Sequence, residues 1–127
     1  MAKAKVQKEK VQGSQKYALT ISQLMLEKKG LDIKIIDVRK ITTLTDFFVI
    51  CTSESGPQTK AISDHVSRTL RNEGVRAWHI EGYRHLDWVL MDYVNIVVHI
   101  FSKEARDFYE FERLWGDADI LDITEEE

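Results

Sequence analysis

At 127 residues, 43% of them hydrophobic and 31% charged, the chain is long enough to bury one core, too short for two domains and too apolar for a disordered polypeptide. No apolar run nears the roughly eighteen residues of a membrane-spanning helix, a lone cysteine (Cys51) excludes an internal disulfide, and no signal-like start is visible, so a cytoplasmic protein is expected. The net charge of -3 gathers at the ends, +3 over residues 1–10 and -6 over 116–127, and the 14 basic and 14 acidic residues between them argue against a broad phosphate-binding surface.

Residues 1–12 therefore read as a basic disordered tail, 13–118 as the folded domain and 119–127 as an acidic disordered tail. A basic arm that touches RNA is the sharper alternative for the first segment. Ser14 is placed to cap a helix over 15–29, where Tyr17, Ile21, Leu24 and Met25 recur at helical spacing before Gly30. The β-branched stretch 33–38 reads as a strand, and the Thr-rich residues 40–45 as a turn. Residues 46–52, Asp-Phe-Phe-Val-Ile-Cys-Thr, form the nearly unbroken apolar run of a central strand buried on both faces. Pro57 suits the first turn of a helix that continues to about Asn72, with Ala61, Ile62, Val66, Thr69 and Leu70 as its buried stripe.

Gly74 ends that helix, and strands follow over 75–80, 88–92 and 96–101. Only Tyr93-Val94-Asn95 separates the last two, so they pair as an antiparallel hairpin. A final helix over 104–115 places Phe108, Phe111 and Trp115 on one side. The sum is a single α/β domain with a mixed five-stranded sheet and about three helices. Three helices are too few to cover both faces of five strands.

Signals for chemistry are weak. Neither G-x-x-x-x-G-K-[ST] nor G-x-G-x-x-G occurs, and Ser53-Glu-Ser-Gly56 reads as a capped helix start rather than an anion cradle. His65, His79, His85, His99 and Cys51 lack metal-ligand spacing, and His79 with His99 across strands makes too thin a site without a carboxylate partner; no metal and no cofactor are expected. Asp37 and Asp46 end and begin successive strands and are the one carboxylate pair to weigh for Mg²⁺-dependent phosphoryl transfer. Nothing nearby grips phosphates, so a non-enzyme is expected.

Aromatic residues point elsewhere. Strand alternation sets Trp78 and Ile80 on one side of 75–80, and Trp88, Leu90 and Asp92 opposite Val89 and Met91. Residues 96–101 offer apolar groups to both faces. Apolar rings left on a bare sheet face mark a binding site. Trp78, Trp88 and Met91 are the candidate anchors, with Tyr83, Arg84 and His85 as a polar rim.

Residues 46–52, Gly82, Trp88-Val-Leu-Met-Asp-Tyr93, Val97-Val-His-Ile-Phe101, Arg106, Tyr109 and Leu114-Trp115 resemble the ribosomal silencing factor family, RsfS/Iojap, over about 15–122. The resemblance implies a nucleotidyltransferase-like fold without that superfamily's catalytic signature. It also implies binding to the large ribosomal subunit through its ribosomal protein number fourteen, blocking small-subunit joining and repressing translation under nutrient limitation. A role in large-subunit maturation and a nucleotidyltransferase-like enzyme using Asp37 and Asp46 are the alternatives, contact with ribosomal RNA is expected to be minor at most, and a homodimer of the free chain is left open. Val94-Asn95 departs from the glycine-aspartate pair of many members, which leaves the hairpin's turn type undecided. The Lys-rich start suits a bacterial member better than an organelle one.

Overall fold

A computed structural model describes residues 3–109 and 111–124, with side chains at 13–107 and 113–124. In chain order the elements are α1 (Lys3–Glu27), β1 (Leu31–Asp37), β2 (Phe47–Ser53), α2 (Gly56–Asn72), β3 (His79–Glu81), β4 (Trp88–Asp92), β5 (Ile96–Ser102), α3 (Lys103–Tyr109), a 3-10 helix (Phe111–Trp115) and β6 (Asp119–Ile123). The sheet runs β3-β4-β5-β2-β1-β6. Only β2 and β5 lie parallel, and every other neighbouring pair is antiparallel.

Local chemistry accounts for the boundaries. Helix α1 ends where Lys29 turns left-handed (φ 66°), its N–H donating to the Leu26 carbonyl while the Gly30 N–H reaches Met25. That pair of bonds closes the last turn. Helix α2 opens on Ser55, whose hydroxyl accepts from the Gln58 N–H at 3.2 Å, with Pro57 in the first turn. It closes through left-handed Gly74 and a Val75 N–H donating to the Leu70 carbonyl. Because that N–H finishes the helix, the strand expected over 75–80 shrinks to His79–Glu81.

Both expected tails differ from the sequence reading. Residues 3–12 continue α1 rather than forming a disordered arm, so Ser14 lies inside the helix and does not cap it. Lys, Gln, Ala and Val supply no breaker there, and Gly13 alone is tolerated. Residues 119–123 form β6, a sixth strand paired with β1 from Ile33–Ile123 to Asp37–Asp119 and tied by a Lys34–Asp122 ion pair of 3.1 Å. Residues 1–2 and 125–127 lie outside the described residues.

Two cores flank the sheet. On one face Ile21 and Met25 of α1 and Ile62, Val66 and Leu70 of α2 bury Ile35, Val49, Cys51, Val89, Met91, Val98 and Ile100. On the other, Ile36, Val38, Phe48, Ile50 and Phe101 form a smaller cluster, covered by Ala105, Trp115 and Ala118. Strand β2 feeds both and is buried along its whole length. The second cover is short. It leaves the β3–β4 end of that face open.

Candidate protein-docking face

The open end is a groove of about 600 Å³. Alternation along the strands sends Phe48, Leu90, Val97 and His99 to its floor. Trp78, just before β3, makes one wall, its N–H donating to the Asp92 carbonyl at 2.7 Å. Trp115 makes the other, packed edge-on to Phe48 with ring centroids 4.9 Å apart. At the rim stand Leu44, from the loop between β1 and β2, and Val94, from the β4–β5 turn. Leu44 is 85% exposed, Trp78 76% and Val94 55%. Among the described residues Asp92 is the one charged member of the lining.

A rigid aromatic layer supports this floor. The Trp88 Nε1–H donates to His99 Nδ1 at 3.0 Å, and Trp88 packs on Phe101 at 5.0 Å. His99 stacks on Phe101 with planes 8° apart and meets Phe48 edge-on at 5.3 Å. Burial pushes the His99 pKa down to about 3, so the imidazole is neutral at physiological pH, with its proton on Nε2. No side chain of this layer brings a charge to the groove.

The six sequence-derived site residues divide. Trp78 lines the groove. Trp88 shares its face but is half-buried among His99 and Phe101 and acts as a support. Met91 is 1% exposed and packs beneath the helices on the opposite face, so it is a core residue and not an anchor. Tyr83, Arg84 and His85 are exposed on the β3–β4 loop, yet none lines the groove. The Tyr83 hydroxyl donates to Asp64 of α2 at 2.6 Å, and Leu86 packs into the helix-side core, so the loop is anchored away from the open face. Leu44 and Val94 escaped sequence reasoning because loop residues carry no alternation; the signals were an apolar residue in a Thr-rich turn for Leu44 and, for Val94, a valine where many family members have glycine.

Other candidates are occupied by structural work. The Asp37 carboxylate takes both Nε and Nη2 of Arg39, at 3.0 and 2.7 Å, and these hydrogen bonds hold its pKa below the ordinary value. Asp46 pins the β1–β2 turn through its backbone, accepting from Val38 and donating to Asn95. His79 pairs with Glu81 at 3.0 Å on β3, while His99 lies two strands away on β5. Among the described residues no cluster of three metal-ligating side chains occurs, and no helix is long and apolar enough to cross a membrane. Burial raises the Cys51 thiol to about 12, which leaves it unreactive.

A family model described as ribosomal silencing factor during starvation matches residues 11–127. The chain belongs to the ribosomal silencing factor family. It is 34% identical over 97 residues to ribosomal silencing factor RsfS of Halalkalibacterium halodurans, across 76% of this chain and 83% of that protein. A crystal structure of a Chromobacterium violaceum protein superposes with a TM-score of 0.75 at 34% identity, covering 83% of this chain and 85% of that one. A mouse relative named mitochondrial assembly of ribosomal large subunit protein 1 is 30% identical over 95 residues, 72% of this chain but 42% of the mouse protein. Membership in this family carries a ribosome-associated silencing role.

Proposed function

We propose that the chain binds the large ribosomal subunit by its open sheet face and silences translation by occupying surface that the small subunit must reach. Ribosomal protein number fourteen is the proposed receptor, and the bacterial cytoplasm the proposed compartment. The observation that carries this reading is a family member's groove with Leu44, Trp78 and Val94 bare around an apolar floor. Exposed apolar patches with aromatic walls are what protein interfaces use as anchors. Steric exclusion needs no catalysis, so affinity and concentration alone set the degree of silencing. A non-enzyme fits the Asp37–Arg39 pairing, which uses up the carboxylate a nucleotidyl-transfer site would need.

Co-sedimentation with separated subunits tests the proposal. The chain should pellet with large subunits and reduce formation of whole ribosomes from mixed subunits. Equal binding to small subunits, or unchanged joining at saturating chain, refutes it. The mouse relative's name favours a second reading, assistance in large-subunit maturation. Accumulation of precursor large subunits on depletion, without a change in subunit joining, would select that reading. Sedimentation of the free chain over a range of concentrations shows whether a second copy associates with it when no subunit is present.

A further inference from the structure

Val94 occupies backbone that a β-branched residue rarely adopts. Its φ is 75°, and the Asn95 N–H donates to the Tyr93 carbonyl at 2.9 Å, closing a three-residue turn centred on Val94. Such turns are strained, and the second branch on Cβ adds to the strain. The conformation persists because its surroundings over-determine it. The Val94 N–H donates to the Asp92 carboxylate at 2.7 Å, and the Tyr93 N–H to the Ile96 carbonyl at 2.8 Å. The Asn95 carbonyl accepts from both Asp46 and Phe47, at 3.0 and 3.2 Å. The turn is therefore bolted to the start of β2. Folding gains nothing visible from the isopropyl group it holds, which is 55% exposed on the groove rim.

The geometry points to Val94 as a partner-contacting, specificity-determining residue of the docking groove, its strain retained because the side chain is used in the complex. This inference rests on the reading of the open face as the ribosome-binding surface and deepens it by naming the chemistry of the occupant. That occupant is a protein segment carrying an apolar side chain. Among the described residues the groove's lining holds one carboxylate, Asp92, and no cation, a composition that disfavours a phosphate backbone and suits an uncharged insert beside Trp78 and Val94.

The test uses the full chain, its melting temperature and its affinity for purified large subunits. Val94→Asn accepts the left-handed conformation and removes the apolar group. It should raise the melting temperature by about 4 °C as strain is released, while affinity falls about fivefold as apolar contact is lost. Val94→Gly, which adopts this φ freely, should lose affinity in the same way if Asn proves awkward to fold. Val94→Ile keeps both branch and strain, so it should melt with the parent and bind more tightly than the Asn and Gly variants. Parent-like affinity in the Asn and Gly variants, with the parent still binding, overturns this inference and leaves the ribosome-binding reading intact. A parent that does not bind large subunits removes that reading itself. Competition by protein-free ribosomal RNA as strong as that by intact subunits overturns the assignment of a protein occupant.

Discussion

Acidification from pH 7 to pH 5 should destabilise this fold through His99. In the folded chain the imidazole is buried, holds the Trp88 indole N–H on Nδ1, and has its pKa pushed down to about 3 from the ordinary 6.5. A pKa depressed by folding means that the unfolded chain takes the proton first. The stabilisation is complete above pH 6.5 and is lost as the pH falls toward 3. At pH 5 the unfolded histidine lies about one and a half pH units below its own pKa, which favours unfolding by about 2 kcal/mol, or about 8 °C in melting temperature. His99→Asn is the comparison, because its amide oxygen can accept from Trp88 while the side chain does not titrate. Urea unfolding at pH 7.5 and pH 5.0 should show the parent losing about 2 kcal/mol more than this variant. Equal losses would refute the argument, and with it the picture of a neutral imidazole sealed beneath the groove.

The remaining predictions separate surface from support. Trp78→Ala should weaken large-subunit affinity about thirtyfold and leave the melting temperature unchanged, since the ring is mostly in solvent. Met91→Ala should do the reverse, costing about 3 kcal/mol in denaturant unfolding while the folded fraction binds normally. Gly82→Ala should cost about 3 kcal/mol or more in a thermal melt, because φ is 81° and a Cβ would stand 1.9 Å from the Trp88 carbonyl oxygen. Asp37→Asn combined with Asp46→Asn should leave subunit joining as strongly inhibited as by the parent; nucleotide turnover by the parent that vanishes in this variant would overturn the non-catalytic reading.

Much of the sheet was legible because its strands carry their own burial pattern. Residues 46–52 lack polar alternation and become β2, buried on both faces, and Trp88–Asp92 alternates and becomes β4 with the expected bounds. The pairing of β4 with β5 followed from a linker too short for anything but a hairpin. Strand β6 was not legible. Asp-Ile-Leu-Asp-Ile before a glutamate run resembles a solvated tail, and it becomes a strand only because β1 offers an unpaired ladder, a tertiary fact. At the candidate site, alternation correctly set Trp88 opposite Met91. Counting both as anchors ignored that one of the two faces must lie under the helices. The rim residues Leu44 and Val94 sit where the chain turns, and turns have no periodicity from which exposure can be read.

The outer strands bear on how such a chain stays dissolved. A sheet that ends in open strands can recruit further chains edge to edge, and an apolar groove on the same molecule increases that hazard. Here one border, β3, is three residues long and carries the His79–Glu81 pair. The other, β6, carries Asp119 and Asp122. Shortness protects one side and negative charge the other. The molecule can therefore expose an apolar groove without growing into a fibre, and replacing the aspartates of β6 with apolar residues would remove that protection while leaving the groove untouched.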